Sequence, residues 1–515
     1  MNDLFFIYGP PRSGKTTLGQ ELARRLDGPF QDLDALVAER AGRPVASVLA
    51  TEGESGFRAL ESECLKQIVA TGRGVVALGP GSLLAPLNRG MAEDAGTVLC
   101  LGVQDDALES RPDTRDAAAR AAAERLTPTP AHYASFARKL PIEDAPPATM
   151  ADAAQIALGA FRVSGMGAPY DVRVGDDLLE RIGPACQAND WQGRVILAGD
   201  ANTLPLHGPR VEEALAEAGL DVHRCVIPAG EATKTIDTVQ ALWRAFLDAK
   251  IERRDTVVAL GGGVVGDLTG FAAATWLRGV RWIGLPTSLL AMVDSSLGGK
   301  TGADLPQGKN LIGAFHPPAL VLADTETLAT LSDDEFRSGL AEVVKHGLIA
   351  DPELFDLCAE GFDSLRSDLP ADFVSRAMAD KIRTIEQDPY EKGIRAALNL
   401  GHTVGHGIEK AMGFTLRHGE AVSIGMVVEA RIAERMGLAH AGLADLIVGV
   451  LARLGLPTAL PARLDRKATL DAIQLDKKRA GGVVRFALPV RIGEVRTGVA
   501  VETALLAEVL DTCRA

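Results

Sequence analysis

Short apolar runs alternate with amphipathic stretches in the first part of this 515-residue chain. Apolar runs at residues 4–8, 75–78 and 97–101 have the length of buried strands, and a helical pattern covers 16–26 after the first of them. Strand-like runs that alternate with helical stretches are typical of a parallel α/β layer. The segment 141–149 is rich in proline, and we expect it to lead to a domain boundary.

A second alternating pattern begins near residue 170. It predicts strands at 170–174, 194–198, 256–260 and 282–285. From about residue 331 a helical period dominates, and β-branched runs return only at 483–486. The fold class is therefore α/β. The predicted domains are a parallel-sheet domain over 1–160, a linker over 161–168, a second α/β domain over 169–328, and a mostly α-helical domain over 329–515.

Composition and charge exclude several classes of function. With 54 Lys and Arg against 68 Asp and Glu, the net charge of −14 gives no basic field for general nucleic-acid binding. No uncharged apolar run reaches the roughly 18 residues of a membrane span, and we expect no signal peptide. The six cysteines form no C-x-x-C pair. We therefore expect reduced thiols in a cytoplasmic protein, without nucleic-acid or membrane partners.

A phosphate-binding motif lies between the first predicted strand and the first predicted helix. Residues 9–16 read GPPRSGKT and match G-x-x-x-x-G-K-[ST] in full. Backbone N–H groups of such a loop and of the helix N-terminus cradle phosphates. Lys15 would reach the β- and γ-phosphates, and the Thr16 hydroxyl would bind Mg²⁺. The motif thus predicts an ATP site with magnesium.

About residues 1–140 resemble shikimate kinase. The resemblance rests on the phosphate loop and on motifs within residues 30–34, 53–61 and 79–81. It implies that Asp34 binds the shikimate hydroxyls and that Asp32 holds Mg²⁺ through water, beside Thr16. Two arginines would bind the shikimate carboxylate through charge-assisted hydrogen bonds. The implied ATP contacts are Gly9, Arg12, Ser13, Gly14, Lys15, Thr16, Thr17 and Arg111. The implied shikimate contacts are Asp34, Arg58, Gly79, Gly81 and Arg125.

Two departures from the shikimate kinase pattern leave an alternative open. Three consecutive glycines of the family are replaced by Gly79-Pro80-Gly81, and proline removes one backbone N–H donor. The segment 111–114, which the resemblance makes part of a lid, lacks the usual leucines of the family. The first domain is therefore either an active kinase or a vestigial nucleotide-binding module.

Three histidines and one glutamate form a candidate metal site. His402 and His406 lie four residues apart, which places them on one face of a helix, and His418 follows further along the chain. Imidazole and carboxylate donors, here including Glu342, suit a divalent metal such as zinc. The spacing alone predicts that both His402 and His406 bind the metal.

A glycine-rich loop at residues 261–267 follows the predicted strand 256–260. Glycines let the backbone approach a pyrophosphate, and the next helix offers its positive end. Residues 230–234 add a carboxylate and a cation, and residues 286–288 add two hydroxyls at another strand end. Together these segments predict one NAD crevice at the carboxyl ends of parallel strands.

Basic side chains indicate an anionic substrate. Lys300 and Lys309 lie among glycines, where a packed loop must give each charge a partner. Lys381, Arg395 and Asn399 then lead towards the histidine pair. Positive groups beside a metal and NAD predict a substrate that is anionic and polyhydroxylated.

From about residue 170 to its end, the chain resembles 3-dehydroquinate synthase. The resemblance rests on the glycine-rich loop and on blocks at 294–300, 341–345 and 399–420. It implies a Rossmann-like NAD domain and a helical metal-binding domain, following the P-loop kinase-like domain. Zinc, or cobalt, would be held by Glu342, His402 and His418. This implication replaces the spacing argument for His406, which would lie beside the substrate phosphate.

The same resemblance implies contacts to the substrate, to NAD and to a partner subunit. Substrate contacts are implied for Asp294, Lys300, Asn310, Lys345, Lys381, Arg395, Asn399, His406 and, chosen over Lys477, Lys478. NAD contacts are implied for Asn202, Gly230, Glu231, Lys234, Gly263, Val264, Val265, Gly266, Asp267, Thr287, Ser288, Lys300, Lys309, Thr327 and Thr330. Arg278 would reach the active site of a partner subunit, so we expect a homodimer.

The implied reaction converts 3-deoxy-D-arabino-heptulosonate 7-phosphate to 3-dehydroquinate and phosphate, in aromatic amino acid biosynthesis. NAD⁺ would remove a hydride and later return it, and the metal would polarise the reacting alcohol. Two alternatives remain open for this part of the chain. One is another sugar-phosphate cyclase; the other is an NAD- and metal-dependent polyol dehydrogenase, which would release NADH.

Overall fold

The computed structural model describes residues 3–102, 117–142, 144–391, 393–479 and 484–514. For Asp3 and residues 474–479 it describes the backbone alone. The chain divides into two compact units. The first comprises Met1–Arg162 with Arg181–Trp191, and the second comprises Val163–Glu180 with Gln192–Ala515. The predicted boundary at 328/329 falls inside the second unit and stays a prediction.

The first unit contains a parallel sheet. Its strands are β1 Asp3–Tyr8, β2 Phe30–Asp32, β3 Arg73–Ala77, β4 Gly96–Gly102 and β5 Lys139–Pro141. They are hydrogen-bonded in the order β2-β3-β1-β4-β5. Its described helices are α1 Lys15–Arg25, α2 Leu33–Ala41, α3 Val45–Thr71, α4 Pro86–Ala95, α5 Ala117–Leu126, α6 Pro130–Ala134, α7 Pro147–Leu158 and, later in the chain, α8 Ile182–Ala188. The short strand β6 Ala160–Val163 crosses the division between the units.

The central strand β1 is buried on both faces, which explains its continuous apolar run. Phe5 and Ile7 belong to a core that includes residues of α1 and α7. Phe6 and Tyr8 point to the opposite face, into a core that includes residues of α3. Because side chains alternate between the faces of a strand, a parallel sheet covered by helices on both sides needs apolar residues at every position.

The second unit begins with a larger parallel layer. Its parallel strands are β7 Tyr170–Gly175, β8 Arg194–Asp200, β9 Asp221–Ile227, β10 Thr256–Gly261, β11 Arg281–Pro286 and β14 Leu320–Asp324. They pair in the order β7-β14-β11-β10-β8-β9. An antiparallel hairpin is formed by β12 Lys300–Leu305 and β13 Gly308–Phe315. The helices of this layer are α9 Thr203–Glu217, α10 Ile236–Asp248 and α11 Gly263–Thr275.

Helices dominate the rest of the second unit, as the sequence pattern predicts. They are α12 Asp333–Ile349, α13 Pro352–Cys358, α14 Phe362–Ser367, α15 Phe373–Gln387, α16 His402–Ala411, α17 His418–Arg435, α18 Leu443–Arg453, α19 Arg466–Arg479 and α20 Thr503–Thr512. The β-branched run predicted at 483–486 overlaps the start of an antiparallel hairpin. That hairpin is formed by β15 Arg485–Arg491 and β16 Glu494–Ala500. Within residues 3–102, 117–142, 144–391, 393–479 and 484–514, no helix has the length and apolar character needed to cross a membrane.

Two glycines of α17 bring three of these helices close together. A Cβ atom at Gly419 would lie 2.1 Å from the carbonyl oxygen of Ser338 on α12. A Cβ atom at Gly425 would lie 1.9 Å from the carbonyl oxygen of Gly401, which precedes α16. Real side chains do not tolerate such distances, so these contacts require glycine. The close packing of α12, α16 and α17 sets the positions of the groups that they carry.

Candidate active sites

The candidate metal ligands come from these three helices. Glu342 of α12 has a fully buried side chain, and its Oε1 lies 3.5 Å from Nε2 of His402 and 3.3 Å from Nε2 of His418. The ligand atoms of the three residues all lie within 4.8 Å of one another. Two imidazoles and one carboxylate form a donor set that suits zinc or cobalt. His406 groups instead with Glu409 and His418.

Local bonding orients the His402 ring and fixes the start of its helix. Nδ1 of His402 lies 3.1 Å from the carbonyl oxygen of Leu400, so a proton on Nδ1 leaves Nε2 to face Glu342. The buried Glu429 accepts backbone N–H bonds from Gly401 and Val404 at the N-terminus of α16. Burial raises the pKa of Glu429 to about 8, although these backbone donors act to lower it.

Two of the three candidate ligands, Glu342 and His402, already have the protonation state that binds a metal. Burial, together with the charge of Lys345, lowers the pKa of His402 to about 3 and keeps its imidazole neutral. Burial acts to raise the pKa of Glu342, but Lys345 and the two histidines outweigh it and hold that pKa well below its usual range. Burial acts to lower the pKa of His418, but Glu342 and Glu409 outweigh it and raise that pKa to about 10, so this imidazole would give up a proton on binding a metal.

Two lysines and an aspartate adjoin the metal group. Lys345 forms an ion pair with Glu342 and lies 3.8 Å from Oδ1 of Asp294. Lys381 of α15 donates to both the backbone oxygen and Oδ1 of Asp294, each at 2.6 Å. Asp294 lies in a π-helical turn, Ala291–Ser295, a feature that often marks functional sites. Burial lowers the pKa of Lys381 to about 8, against the charge of Asp294.

A further group of candidate substrate contacts surrounds Glu391, which the sequence reasoning missed. Lys300 lies 2.6 Å from Oε2 of Glu391, and the Asn399 amide donates to Oε1 at 3.4 Å. Arg395 is buried and donates from Nη1 to the carbonyl oxygen of Pro389 at 2.5 Å. Glu391 lies four residues before Arg395 in a loop, and that proximity was the only signal available in the sequence.

The predicted NAD residues lie along one edge of the second sheet. The carboxyl ends of β8, β9, β10, β11 and β14 meet there because these strands are parallel. The residues that follow these ends are Asn202, Gly230, Glu231, Gly263, Val264, Val265, Gly266, Asp267, Thr287, Ser288, Thr327 and Thr330. An open pocket at this edge is lined by residues that include Gly262, Gly266, Asp267 and Lys300.

Side chains at this edge are bonded to one another. Lys234 lies 2.5 Å from Oδ2 of Asp267 and donates to Oδ1 of Asn310 at 2.6 Å. The structure therefore brings Asn310, a predicted substrate contact, to the predicted NAD residues. The Thr327 hydroxyl donates to the Asp324 carbonyl, and the Thr330 hydroxyl lies 3.0 Å from Nε2 of His207. These two hydroxyls already have partners within the fold.

Two further predicted contacts, Arg278 and Lys478, stay predictions. Arg278 is exposed, and both it and Leu277 have left-handed backbones, with φ of 70° and 49°. Such conformations are costly for residues with side chains, which marks this turn as a constrained feature. The Lys478 side chain lies outside the described residues.

The first unit assembles the predicted ATP loop between β1 and α1. Gly14 begins α1 with a left-handed φ of 89°, which glycine adopts without strain. Lys15 donates to the carbonyl oxygens of Gly9 and Pro10 at 2.9 and 2.8 Å. The Thr16 hydroxyl donates to Oδ2 of Asp32 at 2.9 Å, so the two predicted magnesium groups are in contact. The predicted lid residue Arg111 lies outside the described residues.

The predicted shikimate residues also converge. A Cβ atom at Gly79 would lie 2.5 Å from Oδ1 of Asp34, and one at Gly81 would lie 2.4 Å from Nη2 of Arg58. The buried Nη2 of Arg58 has no hydrogen-bond partner among the described residues, whereas Nη1 donates to Glu61 at 2.9 Å. Arg125 is more exposed and approaches Glu54, which also lies near Arg58. Burial raises the pKa of Asp34 to about 6, with Asp32 contributing.

Pro80, the departure from the family pattern, is held by tyrosines. Its carbonyl oxygen accepts hydrogen bonds from the hydroxyls of Tyr8 at 3.0 Å and Tyr133 at 2.7 Å. The Tyr8 hydroxyl also lies 3.0 Å from Nε2 of His132. The loop that loses one N–H donor is therefore fixed through its carbonyl group.

Comparison with known proteins covers both units. Residues 11–149 match the shikimate kinase family, and residues 224–338 and 339–479 match the N-terminal and C-terminal parts of 3-dehydroquinate synthase. The 3-dehydroquinate synthase of Synechococcus sp. is 50% identical over 350 residues, which are 66% of this chain and 95% of the relative. That of Symbiobacterium thermophilum is 46% identical over 332 residues, 63% of this chain and 92% of the relative.

Solved structures of related cyclases share the fold of the second unit. The 2-epi-5-epi-valiolone synthase ValA from Streptomyces hygroscopicus subsp. jinggangensis, with NAD+ and Zn2+ bound, is 30% identical with a TM-score of 0.63, covering 68% of this chain and 99% of that chain. A 2-deoxy-scyllo-inosose synthase complexed with carbaglucose-6-phosphate, NAD+ and Co2+ is 26% identical with a TM-score of 0.62, covering 69% and 100%. With these relatives, the chain belongs to the 3-dehydroquinate synthase family and is an enzyme that carries a shikimate kinase domain fused ahead of the synthase.

Proposed function

We propose that the second unit converts 3-deoxy-D-arabino-heptulosonate 7-phosphate to 3-dehydroquinate and phosphate, with NAD and one divalent metal as cofactors that are regenerated. The observation that carries the proposal is the convergence of Glu342, His402 and His418 beside two buried lysines. The identity of 50% to a 3-dehydroquinate synthase favours this substrate over those of other cyclases.

Zinc or cobalt would be held by Glu342, His402 and His418. When bound there, the metal would polarise a substrate hydroxyl and make its proton easier to remove. The donor set and the neutral state of His402 support this assignment. Two structurally similar cyclases were solved with Zn2+ and with Co2+, which fits the same kind of site.

NAD would bind at the carboxyl edge of the second sheet, with its pyrophosphate at the loop that opens α11. When bound, it would accept a hydride and return it within one turnover. Gly262 lies at the N-terminus of α11, where backbone N–H groups favour phosphate. Asp267 and Lys234 form the ion pair that would border the cofactor.

Side chains of the chain itself would bind the substrate and move its protons. Asp294, Lys345 and Lys381 form one connected group that can hold several hydroxyls in fixed positions. Lys381, with a pKa near 8, can donate or accept a proton close to neutral pH. Asn399 would contact a further hydroxyl. The substrate's phosphate and carboxylate would be bound by Lys300, Asn310, Arg395, His406 and Lys478.

A homodimer is part of the proposal. The exposed Arg278 lies in a turn with two consecutive left-handed residues, which holds its side chain on a constrained backbone. This geometry suits a residue that reaches a partner subunit.

We also propose that the protein is cytoplasmic. The six cysteines are buried thiols, which fits the reducing environment of the cytoplasm.

The first unit would transfer the γ-phosphoryl group of Mg²⁺-ATP to a shikimate hydroxyl. The new O–P bond would form at that hydroxyl while the bond from the γ-phosphorus to the ADP oxygen breaks. Asp34 would accept a hydrogen bond from the hydroxyl and then its proton. Arg58 would use Nη2, which has no hydrogen-bond partner among the described residues, for the shikimate carboxylate. The bonds that hold Pro80 support a working kinase over a vestigial module.

One assay tests the synthase proposal against its rivals. The purified chain is incubated with the heptulosonate phosphate, catalytic NAD⁺ and Zn²⁺, while dehydroquinate, free phosphate and NADH absorbance are followed. We expect equal amounts of dehydroquinate and phosphate with no accumulation of NADH. Steady NADH release would instead identify a dehydrogenase, and activity only on other sugar phosphates would identify a different cyclase.

A further inference from the structure

Glu409 is a buried carboxylate on the same helix as the candidate ligand His402. It lies seven residues after His402, two helical turns along α16 and on the same face. Its side chain is only 3% exposed, and its Oε1 lies 3.6 Å from Nδ1 of His418 and 3.4 Å from Nζ of Lys309. A carboxylate without surface exposure needs such partners, because an isolated buried charge is strongly unfavourable.

The His418 ring lies between two carboxylates. Its Nε2 faces Glu342 at 3.3 Å, and its Nδ1 faces Glu409 at 3.6 Å. A carboxylate on the second nitrogen of a metal-binding histidine fixes the ring orientation and the tautomer, and makes the ligand more basic. Glu409 is therefore placed to hold His418 with Nε2 directed at the cation.

Lys309 connects Glu409 to the carboxyl edge of the second sheet, where NAD is predicted to bind. Its Nζ lies 3.4 Å from Glu409 and 3.1 Å from Oε1 of Glu231, and it lies 4.8 Å from the centre of the Phe414 ring. Glu231 follows β9 at the carboxyl edge of the sheet, among the predicted NAD contacts. A continuous series of charged contacts thus runs from His418 through Glu409 and Lys309 to Glu231.

We propose that Glu409 is a positioning residue that couples metal binding to NAD binding through Lys309. The inference rests on the proposed metal and NAD sites. A metal on Nε2 of His418 would keep the proton on Nδ1, which lies 3.6 Å from Glu409, and favour a hydrogen bond that fixes that carboxylate. Lys309 would then be held between Glu409 and Glu231, in the position from which it can contact the cofactor. Because metal binding would already restrict Glu409 and Lys309, less conformational entropy would be lost when NAD binds.

The test measures metal affinity with and without NAD in the full chain. Zn²⁺ dissociation constants are obtained by competition with a chelator for the wild type, Glu409→Gln and Lys309→Met. In the wild type we expect NAD to tighten Zn²⁺ binding at least fivefold, within the usual range of coupling between sites. Glu409→Gln should weaken Zn²⁺ binding about 10- to 100-fold and bring the NAD effect close to one.

Lys309→Met separates coupling from metal binding. It should keep the wild-type Zn²⁺ affinity in the absence of NAD and lose the enhancement by NAD. The matched control is Lys410→Gln, an exposed neighbour on α16, which should leave both quantities unchanged. Reciprocity gives an internal check, because Zn²⁺ must tighten NAD binding by the same factor.

The outcomes separate this inference from the proposed function. If the wild type binds neither Zn²⁺ nor NAD, the proposed function fails. If it binds both but without coupling, or if Glu409→Gln keeps the wild-type Zn²⁺ affinity and coupling, the role of Glu409 is refuted while the proposed function stands. Should Glu409→Gln fail to fold, Lys309→Met alone decides, and full retention of coupling in that variant overturns the inference.

Discussion

At the scale of single residues, the site of the second unit is a balance of buried charges. Glu342 and Asp294 face Lys345 and Lys381 at short distances, with little or no exposed surface on Glu342 and on both lysines. Removing one member of such a group leaves an uncompensated buried charge, which costs roughly 3–5 kcal/mol. The geometry of the site therefore depends on all four groups.

Asp380 provides a test of a buried charge that has no role in the proposed chemistry. Oδ1 of this carboxyl accepts from Arg383 at 2.7 Å, while Oδ2 is buried without a hydrogen-bond partner among the described residues. Burial raises its pKa from 3.8 to about 7. Since the folded-state pKa is raised, the carboxyl stabilises the fold fully below about pH 4, and this contribution is lost as pH rises through 7.

We therefore expect Asp380→Asn to gain stability relative to the wild type between pH 4 and pH 8. The relative change in the free energy of unfolding should be as large as about 4 kcal/mol, since one pKa unit corresponds to about 1.4 kcal/mol. Urea unfolding at several pH values measures the free energy of unfolding of both proteins. The change of their difference with pH is the quantity that tests the assignment. Parallel pH profiles for the two proteins would contradict the assignment.

Arg58 carries the residue-scale prediction for the kinase. Replacing it by Met should raise the KM for shikimate about 10- to 100-fold, because a charge-assisted hydrogen bond to a carboxylate contributes about 1.5–3 kcal/mol. The KM for ATP should stay unchanged. Arg40→Met is the matched control, since Arg40 forms only a partly exposed ion pair with Glu63. Equal effects on the KM values of both substrates would argue against a shikimate contact.

At the scale of elements, close helix packing determines where the ligands meet. Gly425 lets α17 approach the start of α16, and Gly419 lets it approach α12. These contacts join segments far apart in the sequence. The metal group is therefore a product of helix packing as much as of its three ligands.

Gly425→Ala should destabilise the protein and weaken metal binding together. The added methyl group would meet the Gly401 carbonyl, and overpacking of this kind costs about 1–3 kcal/mol. Gly449→Ala on α18 is the control, because a Cβ atom there meets nothing within 4 Å. That change should stabilise the fold by about 0.5–1 kcal/mol, as alanine does in place of glycine in a helix. Thermal unfolding measures the stability of both variants, and Zn²⁺ titration measures their metal affinity. Wild-type stability and affinity in Gly425→Ala would contradict the prediction.

The elements also show what could be predicted from the sequence. The glycine-rich loops, the strands before them and the helical second half follow from local patterns, and the structure contains them. The strand β9 and the hairpin β12–β13 were not predicted, since exposed and buried positions are mixed along them. The strand β14 was not predicted either, although its residues are apolar apart from Asp324 and all are buried. Glu391 and Glu409 were missed because they look like ordinary surface acids in the sequence. Only tertiary packing buries Glu409 and brings Glu391 to Lys300.

At the scale of the whole molecule, each unit has its own core and its own candidate site. The core clusters that contain β1 lie within the first unit, and those that contain β10 and α16 lie within the second. The product of the proposed synthase, 3-dehydroquinate, is not shikimate, the proposed substrate of the kinase, so neither site supplies the other directly. We therefore expect the activities to be separable by single substitutions.

Lys15→Met should abolish ATP-dependent phosphorylation of shikimate and leave the synthase rate unchanged. Lys300→Met should do the reverse, lowering synthase turnover at least tenfold with an unchanged kinase rate. Both rates are measured on the same preparation of each full-length variant. Loss of both activities in either variant, with the fold intact by circular dichroism, would contradict independent sites.

The most direct test of the central claim is the metal content of histidine variants. The wild type should hold one Zn²⁺ or Co²⁺ per chain, and His402→Ala should lose both the metal and the release of phosphate from the heptulosonate phosphate. His406→Ala should keep the metal and lose turnover, because His406 is assigned to the substrate rather than to the ligand set. Full metal occupancy in folded His402→Ala would contradict the proposed site.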